Sequence, residues 1–218
     1  MKIYIVRKAS TAVPLTGDMT GPWAAANELA VSEFPWFKGG SKQGTCARVL
    51  YDDRALYLQF ACEDKHIWSQ ARPLNGPVCV DSCVEFFASP LPKQGPEYFN
   101  FEANCCGQFH VGFGPGRGDR KLIDASLARG IRVATSVPGP SKDESPADAG
   151  WWLAAALPFE TLGAFTGLAV KPASGTVWQA NFYRCGGKTD QQFACWNVVG
   201  TPGPDFHRPE YFGEIRFE

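Results

Sequence analysis

The chain has 218 residues, a formal net charge of −1 and 44% hydrophobic residues. This length suits one large β domain, and the hydrophobic fraction is sufficient for a packed core. The near-zero charge creates no general field that would attract nucleic acid or an anionic membrane. No apolar run approaches the ~20 residues of a membrane span. We therefore expect no nucleic acid partner and no membrane span, and an uncharged ligand fits the charge balance.

The beginning of the chain shows no signal-peptide pattern. Its apolar residues are too few for the hydrophobic region of such a peptide, and Arg7 and Lys8 interrupt them. The sequence as written therefore predicts a cytoplasmic location. An extracellular or periplasmic location would follow if the start of the chain has been trimmed.

Short apolar runs bounded by Gly, Pro, Asn and Asp recur along the chain, which is typical of a β-sandwich or barrel. They predict strands at residues 46–51, 55–62, 84–88, 98–103, 108–113, 131–137, 151–157, 177–184 and 214–217. The runs continue without a clear linker, so we predict a single domain over residues 1–218. The fold class that follows is all-β, a single antiparallel sandwich.

Signals for helices are sparse. Residues 158–163 begin with a proline, which is favoured at the first position of a helix, and we predict one short helical turn there. The alanine-rich segment 23–30 is predicted either as a second short helix or as a surface loop.

The chain contains eight cysteines, at positions 46, 62, 79, 83, 105, 106, 185 and 195. Several lie in apolar strands, where a free cysteine behaves as a small hydrophobic residue. We predict free thiols, although an even number in a secreted protein would instead suggest disulfides. Cys-x-x-Cys spacing is absent, so the sequence does not favour a cysteine-rich metal site.

Two predicted strands carry a row of polar side chains on one face. Alternation places Glu85 opposite the apolar face of its strand, and it places Glu102 and Asn104 together on the next strand. Side chains on neighbouring strands can converge on one ligand, and carboxylates and amides form the hydrogen bonds that sugar hydroxyls require. The alternative is a simply solvated face, which antiparallel sheets often have.

Five segments, taken in order, form a recognisable pattern: DKHIW (64–68), DSCVEFFASP (81–90), YFNFEANCCG (98–107), WQANFYR (178–184) and WNVVGTPGPDFHRPEYFG (196–213). The pattern resembles the family 9 carbohydrate-binding modules, a group of the DOMON-like β-sandwich superfamily. The resemblance spans roughly residues 50–217. It implies a jelly-roll-like β-sandwich that binds a mono- or oligosaccharide without catalysis, in a role linked to carbohydrate catabolism and to glycoside hydrolases.

The resemblance also implies particular site residues. Trp68 and Trp196 lie outside the regular strands and match the aromatic clamp that family members close on a sugar. Glu85, Asn104 and Arg184 are the predicted hydrogen-bonding residues, and a rival role for Arg184 is an ion pair with Glu85 or Glu102. Each tryptophan has the alternative of closing the edge of the core.

No cofactor is expected to be required, although family members can hold calcium through loop oxygens. Asp53, Asp64 and Asp81 are the loop carboxylates available here, but they do not form a recognised calcium loop. The metal ligands are therefore left unassigned, and His207 is interpreted as structural.

Two other functions compete with sugar binding. A glycoside hydrolase would need two carboxylates across a cleft, and Glu85 with Glu102 is the available pair. A haem- or redox-binding sandwich would depend on His66, His110 and His207, because the only methionines, Met1 and Met19, lie far upstream.

Overall fold

The computed structural model of the protein describes residues 1–141 and 143–218. Its strands are β1 (Ile3–Lys8), β2 (Glu28–Ala30), β3 (Thr45–Tyr51), β4 (Ala55–Glu63), β5 (Cys83–Ser89), β6 (Tyr98–Asn104), β7 (Phe109–Gly114), β8 (Lys121–Leu122), β9 (Arg132–Thr135), β10 (Gly150–Pro158), β11 (Val177–Gly186), β12 (Gln192–Cys195) and β13 (Gly213–Phe217). The α-helices are α1 (Ala125–Ala128) and α2 (Phe159–Thr166).

The strands form one hydrogen-bonded path that folds back on itself. Its order is β8-β7-β6-β5-β11-β13-β1-β3-β4-β10-β9, with β12 on β11 and β2 on β3. β1 connects the two layers, because residues 3–6 pair with β13 and residues 7–8 pair with β3. We call the layer from β8 to β13 the first sheet and the layer from β3 to β9 the second sheet.

The core fills the space between these two sheets, as in a β-sandwich. Phe60 of β4 and Phe182 of β11 come from opposite sheets, and their ring centroids are 6.3 Å apart. Phe86 of β5 extends the cluster, 4.9 Å from Phe182. The predicted all-β sandwich is therefore confirmed. Most pairings are antiparallel as expected, but β1 runs parallel to both β13 and β3, so the sheet is mixed.

Alternation along β5 and β6 follows the predicted parity. Val84, Phe86 and Ala88 point into the core, as do the alternate residues Phe99 and Phe101 of β6. The opposite face carries Glu85 and Glu102, which are only 3% and 7% exposed. The alternative of a solvated face was therefore wrong, since loops cover it.

The helical predictions were partly correct. Phe159 begins α2 directly after Pro158, at the predicted position. The alanine-rich segment is not an α-helix: it forms a short 3₁₀ turn at Gly21–Ala25 and then the edge strand β2. Trp23 explains the turn, because its ring is buried and its Nε1 donates to the carbonyl of Pro14 at 2.9 Å. Burial of one large ring decides the conformation over alanine's helix propensity.

One buried carboxylate joins the two sheets at one end of the sandwich. Asp64, in the loop after β4, accepts hydrogen bonds at Oδ2 from Arg184 Nη2 of β11 (2.6 Å) and Trp151 Nε1 of β10 (3.0 Å). Ser82 Oγ, just before β5, donates to the same oxygen at 2.7 Å. Arg184 is 1% exposed, so its charge depends on this partner.

Replacing Asp64 by alanine is expected to destabilise the fold strongly. The change leaves the Arg184 guanidinium buried without its counter-charge, at a cost of roughly 3–5 kcal/mol. Urea denaturation followed by tryptophan fluorescence measures the difference. The matched control is Asp53→Ala, which removes an exposed carboxylate paired with Lys8 and should leave the midpoint unchanged. Equal midpoints for the two variants would contradict the assigned role of Asp64.

Candidate functional site

The outer face of the first sheet is covered by a second, smaller core. Phe87 of β5 and Tyr183 of β11 pack there against Phe206 of the loop that precedes β13. The rings of Tyr183 and Phe206 are stacked, 4.1 Å apart, and Tyr183 Oη donates to the Phe206 carbonyl at 3.1 Å. These contacts hold the loop down on the sheet and make it one wall of a cavity.

The floor of that cavity is acidic. Glu85 and Glu102 face each other directly across β5 and β6, and both line a cavity of ≈ 240 Å³. The remaining lining residues come from the covering loops and from the end of β11: Cys79, Val80, Arg117, Cys185, Gly186, Gln191, Phe193, Pro204, Phe206 and His207. We call this space the acidic cavity.

Burial dominates the electrostatics of the two carboxylates. It raises the pKa of Glu85 well above the ordinary value, and the neighbouring charge of Glu102 raises it further. The pKa of Glu102 is also raised by burial, although the His110 imidazole and a hydrogen bond from Asn100 partly oppose this. In the described part of the chain, neither carboxylate forms an ion pair with a lysine or arginine.

A chain of hydrogen bonds fixes the orientation of Glu102. Asn100 Nδ2 donates to Glu102 Oε1 at 2.7 Å, and the Asn100 Oδ1 accepts from Arg120 Nη2. The guanidinium of Arg120 lies over the Tyr98 ring, 4.4 Å from its centroid. Gly112 allows this approach, because a Cβ there would lie 2.8 Å from Asn100 Oδ1 and 2.9 Å from Arg120 Nε.

His207 closes the cavity as a neutral side chain. Tyr98 Oη and His207 Nδ1 are 2.8 Å apart, and the imidazole packs on Phe87 with ring centroids 4.9 Å apart. Burial, followed by the charges of Arg117 and Arg120, lowers the pKa of His207 to about 3. The structural role expected for this histidine is consistent with these contacts.

An aromatic groove adjoins the acidic cavity. Its volume is ≈ 470 Å³, and it shares Gln191, Phe193 and Pro204 with the acidic cavity. Trp36 lies half-buried along it and donates from Nε1 to the Thr201 carbonyl at 2.7 Å. The groove also contains Phe34, Pro35, Phe37, Lys38, Gly39, Gln192, Pro202 and Gly203. A small acidic space therefore opens beside an extended apolar one.

The structure separates the five residues predicted from the sequence. Of them, only Glu85 lines the acidic cavity. Trp196 is 4% exposed and packs edge-on against Phe182 in the main core, and Arg184 points into the same core toward Asp64 rather than toward Glu85 or Glu102. The rival pairing partners proposed for Arg184 were therefore wrong.

Asn104 and Trp68 lie near the edge of the first sheet. Asn104 is fully buried, donates from Nδ2 to Asp81 Oδ2 at 2.9 Å and accepts at Oδ1 from the Gln108 amide. Trp68 is half-buried in the loop after β4, where its amide donates to Ser82 Oγ. Neither residue is among those that line the acidic cavity.

Several residues around the cavity escaped the sequence analysis. Trp36 lines the groove, Phe206 lines the acidic cavity and Phe193 lines both, and none of the three lies in a strand predicted from the sequence. The signal available was the cluster of aromatic residues at positions 34–37, which is followed directly by Lys38 and two glycines. Aromatic residues in a glycine-bearing loop are candidates for ligand contact because loops carry binding residues more often than the scaffold does.

The candidate calcium ligands are engaged by donors of the protein. Asp53 accepts from Lys8 Nζ, Asp64 from the three donors described above, and Asp81 from Arg72 Nη2 at 2.7 Å. Calcium binding therefore stays a prediction.

Within residues 1–141 and 143–218, no helix is long and apolar enough to cross a membrane.

Comparison with known proteins identifies the family. The model of carbohydrate-binding family 9 matches residues 23–217. A protein from Bacteroides uniformis ATCC 8492 that is proposed to bind carbohydrate has the same fold, with a TM-score of 0.87 and 25% identity over 100% of this chain and 99% of its own. No curated protein sequence matches the chain.

More distant structures share the fold. A family 9 module from Caldicellulosiruptor kristjanssonii, solved with cellotriose and with glucose, aligns with a TM-score of 0.66 and 16% identity. The alignments cover 100% of this chain and 94% and 96% of those chains. Because the family model covers nearly the whole sequence, the chain belongs to carbohydrate-binding family 9.

Proposed function

We propose that the protein binds a saccharide without catalysis, with one sugar unit in the acidic cavity and further units along the aromatic groove. The observation that carries this proposal is the pair Glu85 and Glu102 on the cavity floor, beside a wall of aromatic rings. Family membership supports the same class of ligand.

The cavity supplies both kinds of contact that a pyranose requires. Glu85 and Glu102 offer hydrogen-bonding oxygens to hydroxyl groups, and Arg117 at the rim offers N–H donors. Phe193 and Phe206 provide apolar surface for the C–H faces of the ring. Because each sugar hydroxyl exchanges water for protein at a small net gain, we expect a modest affinity for one unit.

The groove extends the proposed site toward oligosaccharides. Trp36 and Phe37 lie along it, and its volume of ≈ 470 Å³ is larger than that of the acidic cavity. Family 9 structures with cellotriose and with glucose support a site that accepts both an oligosaccharide and a monosaccharide. The proposal includes that the protein acts together with glycoside hydrolases in carbohydrate catabolism.

The carboxylate pair also keeps a hydrolase as the second candidate. Glycoside hydrolysis uses a pair of carboxyl groups, and Glu85 and Glu102, which face each other on neighbouring strands, are the pair available here. The two functions differ in one readout. A binding module leaves chromogenic β- and α-glycosides intact, whereas a hydrolase releases the chromophore and loses this activity in Glu102→Gln.

Replacing Glu102 by glutamine is expected to weaken sugar binding by roughly tenfold to a hundredfold. The change preserves the shape of the side chain but removes a carboxylate acceptor. A hydrogen bond to such a group contributes about 1.5–3 kcal/mol. Calorimetric titration with cellotriose and with glucose, in the presence of EDTA, measures the effect. The control is Glu160→Gln, which alters a carboxylate of a different cavity beside α2 and should bind as the unchanged protein does. Equal losses in both variants would contradict the assignment.

Replacing Trp36 by alanine is expected to reduce the affinity for cellotriose more than the affinity for glucose. Trp36 lies in the groove outside the acidic cavity, so it contacts only the units beyond the first. The ratio of the two dissociation constants, measured beside Trp68→Ala, tests this placement. If Trp68→Ala loses binding while Trp36→Ala does not, the aromatic platform lies in the loop after β4 instead.

A further inference from the structure

Two thiols and a carboxylate meet at the floor of the acidic cavity. Cys83 of β5 and Cys185 of β11 are direct partners in the antiparallel register, and Glu85 follows on the same face. One ligand atom of each lies within 4.8 Å of the other two. All three side chains are at least 97% buried. Of these three residues, Glu85 is also one of the sugar contacts proposed above.

The sequence folds locally in a way that holds the group together. Alternation along β5 puts Cys83 and Glu85 on one face, and Cys185 follows Arg184, whose inward direction turns Cys185 outward. The Cys185 thiol donates to Glu85 Oε1 at 2.9 Å and lies 3.4 Å from the Cys79 carbonyl.

Gly186 lets the backbone of residues 79–81 close over this end of the sheet. It has φ 73°, and a Cβ there would lie 1.9 Å from the Asp81 carbonyl oxygen and 2.6 Å from that of Cys79. A side chain at this position would push the segment away and expose the thiols. The tight cover therefore shields the group on one side, while Glu85 and Cys185 line the acidic cavity on the other.

The charge balance of this region is unusual for a buried site. Glu85 lies beside a second carboxylate, Glu102, and neither has an ion-pair partner among the described residues. The Arg117 guanidinium lines the same cavity, but it is largely exposed and paired with Asp205. A buried carboxylate stays ionised only with compensation by a cation or a metal ion, and otherwise takes up a proton. A divalent cation held by Glu85 would supply that compensation.

The donor set selects the kind of metal. Two sulfur ligands and one carboxylate oxygen fit zinc, whereas calcium and magnesium require oxygen ligands in larger number. Zinc–sulfur distances of about 2.3 Å place tetrahedral ligand atoms about 3.8 Å apart. The three ligand atoms lie within 4.8 Å of one another, so small side-chain shifts would bring them to this spacing. Glu85 and Cys185 line the acidic cavity, so a fourth ligand could reach such a metal from that side.

We propose that Cys83, Glu85 and Cys185 form a zinc-binding site on the floor of the acidic cavity. Binding displaces the thiol protons, and each sulfur coordinates as a thiolate. Glu85 then belongs to both the zinc site and the sugar site. An oxygen that coordinates the metal is therefore no longer available to a sugar hydroxyl. Zinc and saccharide are consequently expected to weaken each other's binding.

The test uses the full chain, kept reduced with a phosphine reductant and stripped of metal. Co²⁺ is titrated as the spectroscopic probe, because a thiolate–cobalt bond gives a charge-transfer band and tetrahedral cobalt gives visible d–d bands. We expect one Co²⁺ per chain with both features, and loss of both when one equivalent of Zn²⁺ is added. Native mass spectrometry measures the stoichiometry. Failure of the unchanged protein to give a thiolate–cobalt band overturns the proposal without any variant.

Variants locate the metal. Cys83→Ala and Cys185→Ala should each reduce the Co²⁺ affinity at least tenfold, and Glu85→Gln should keep a weaker band. The matched control is Cys46→Ala, a half-buried thiol on β3, which should bind as the unchanged protein does. Circular dichroism and thermal melting check that each variant folds, and if a cysteine variant does not fold, Glu85→Gln decides. A band that is unaffected in Glu85→Gln and in either cysteine variant places the metal elsewhere and overturns the proposal.

This outcome is separable from that of the sugar titrations. The sugar measurements contain EDTA, so they report on Glu102 and Trp36 whether or not zinc binds. The cobalt titrations contain no sugar. A zinc site without sugar binding, or sugar binding without a zinc site, would therefore each be recognised.

Discussion

The ion pair between Asp64 and Arg184 is the interaction on which the arrangement of this end of the sandwich depends. One carboxylate oxygen receives donors from β10 of the second sheet, from β11 of the first sheet and from the turn before β5. Because Arg184 is buried, its charge is stable only with this partner, and the two sheets are held together at the position where the cavity forms.

The direction of Arg184 also determines what reaches the opposite face. Since side chains alternate along a strand, an inward Arg184 sends its neighbours Tyr183 and Cys185 outward. Tyr183 then stacks with Phe206 and anchors the covering loop, while Cys185 meets Glu85 and Cys83. The ion pair of Arg184 in the core and the positions of Tyr183 and Cys185 at the cavity therefore both follow from the alternation of side chains along β11.

The fold was largely readable from the sequence because strand periodicity is a local property. The alternation along β5 and β6 identified the inward residues correctly, and Pro158 marked the start of α2. The 3₁₀ turn at Gly21–Ala25 and the parallel pairings of β1 were not readable. They depend on where Trp23 is buried and on which distant strands receive β1, and both are tertiary facts.

The site was less readable for the same physical reason. Glu85 could be found because it lies on a regular strand, but the aromatic surface comes from loops whose positions depend on distant contacts such as that of Trp36 with the Thr201 carbonyl. Cysteine spacing did not reveal the pair of thiols either. Cys83 and Cys185 are 102 positions apart in sequence yet face each other across two strands. A search for closely spaced cysteines cannot detect a pair created by strand register.

The position of Glu85 connects the two proposed ligands. A buried carboxylate with a raised pKa and no cationic partner is costly, so its retention on a cavity floor needs a compensating interaction. Sugar hydroxyls offer hydrogen bonds from the cavity side, and a metal ion offers charge from the thiol side. The Cys185 thiol already donates to one oxygen of Glu85, and the same side chain lines the acidic cavity. The carboxylate therefore lies between the buried thiols and the proposed sugar site. A metal ion bound to Glu85 therefore leaves fewer of its oxygens for a sugar hydroxyl, and a bound sugar leaves fewer for the metal ion.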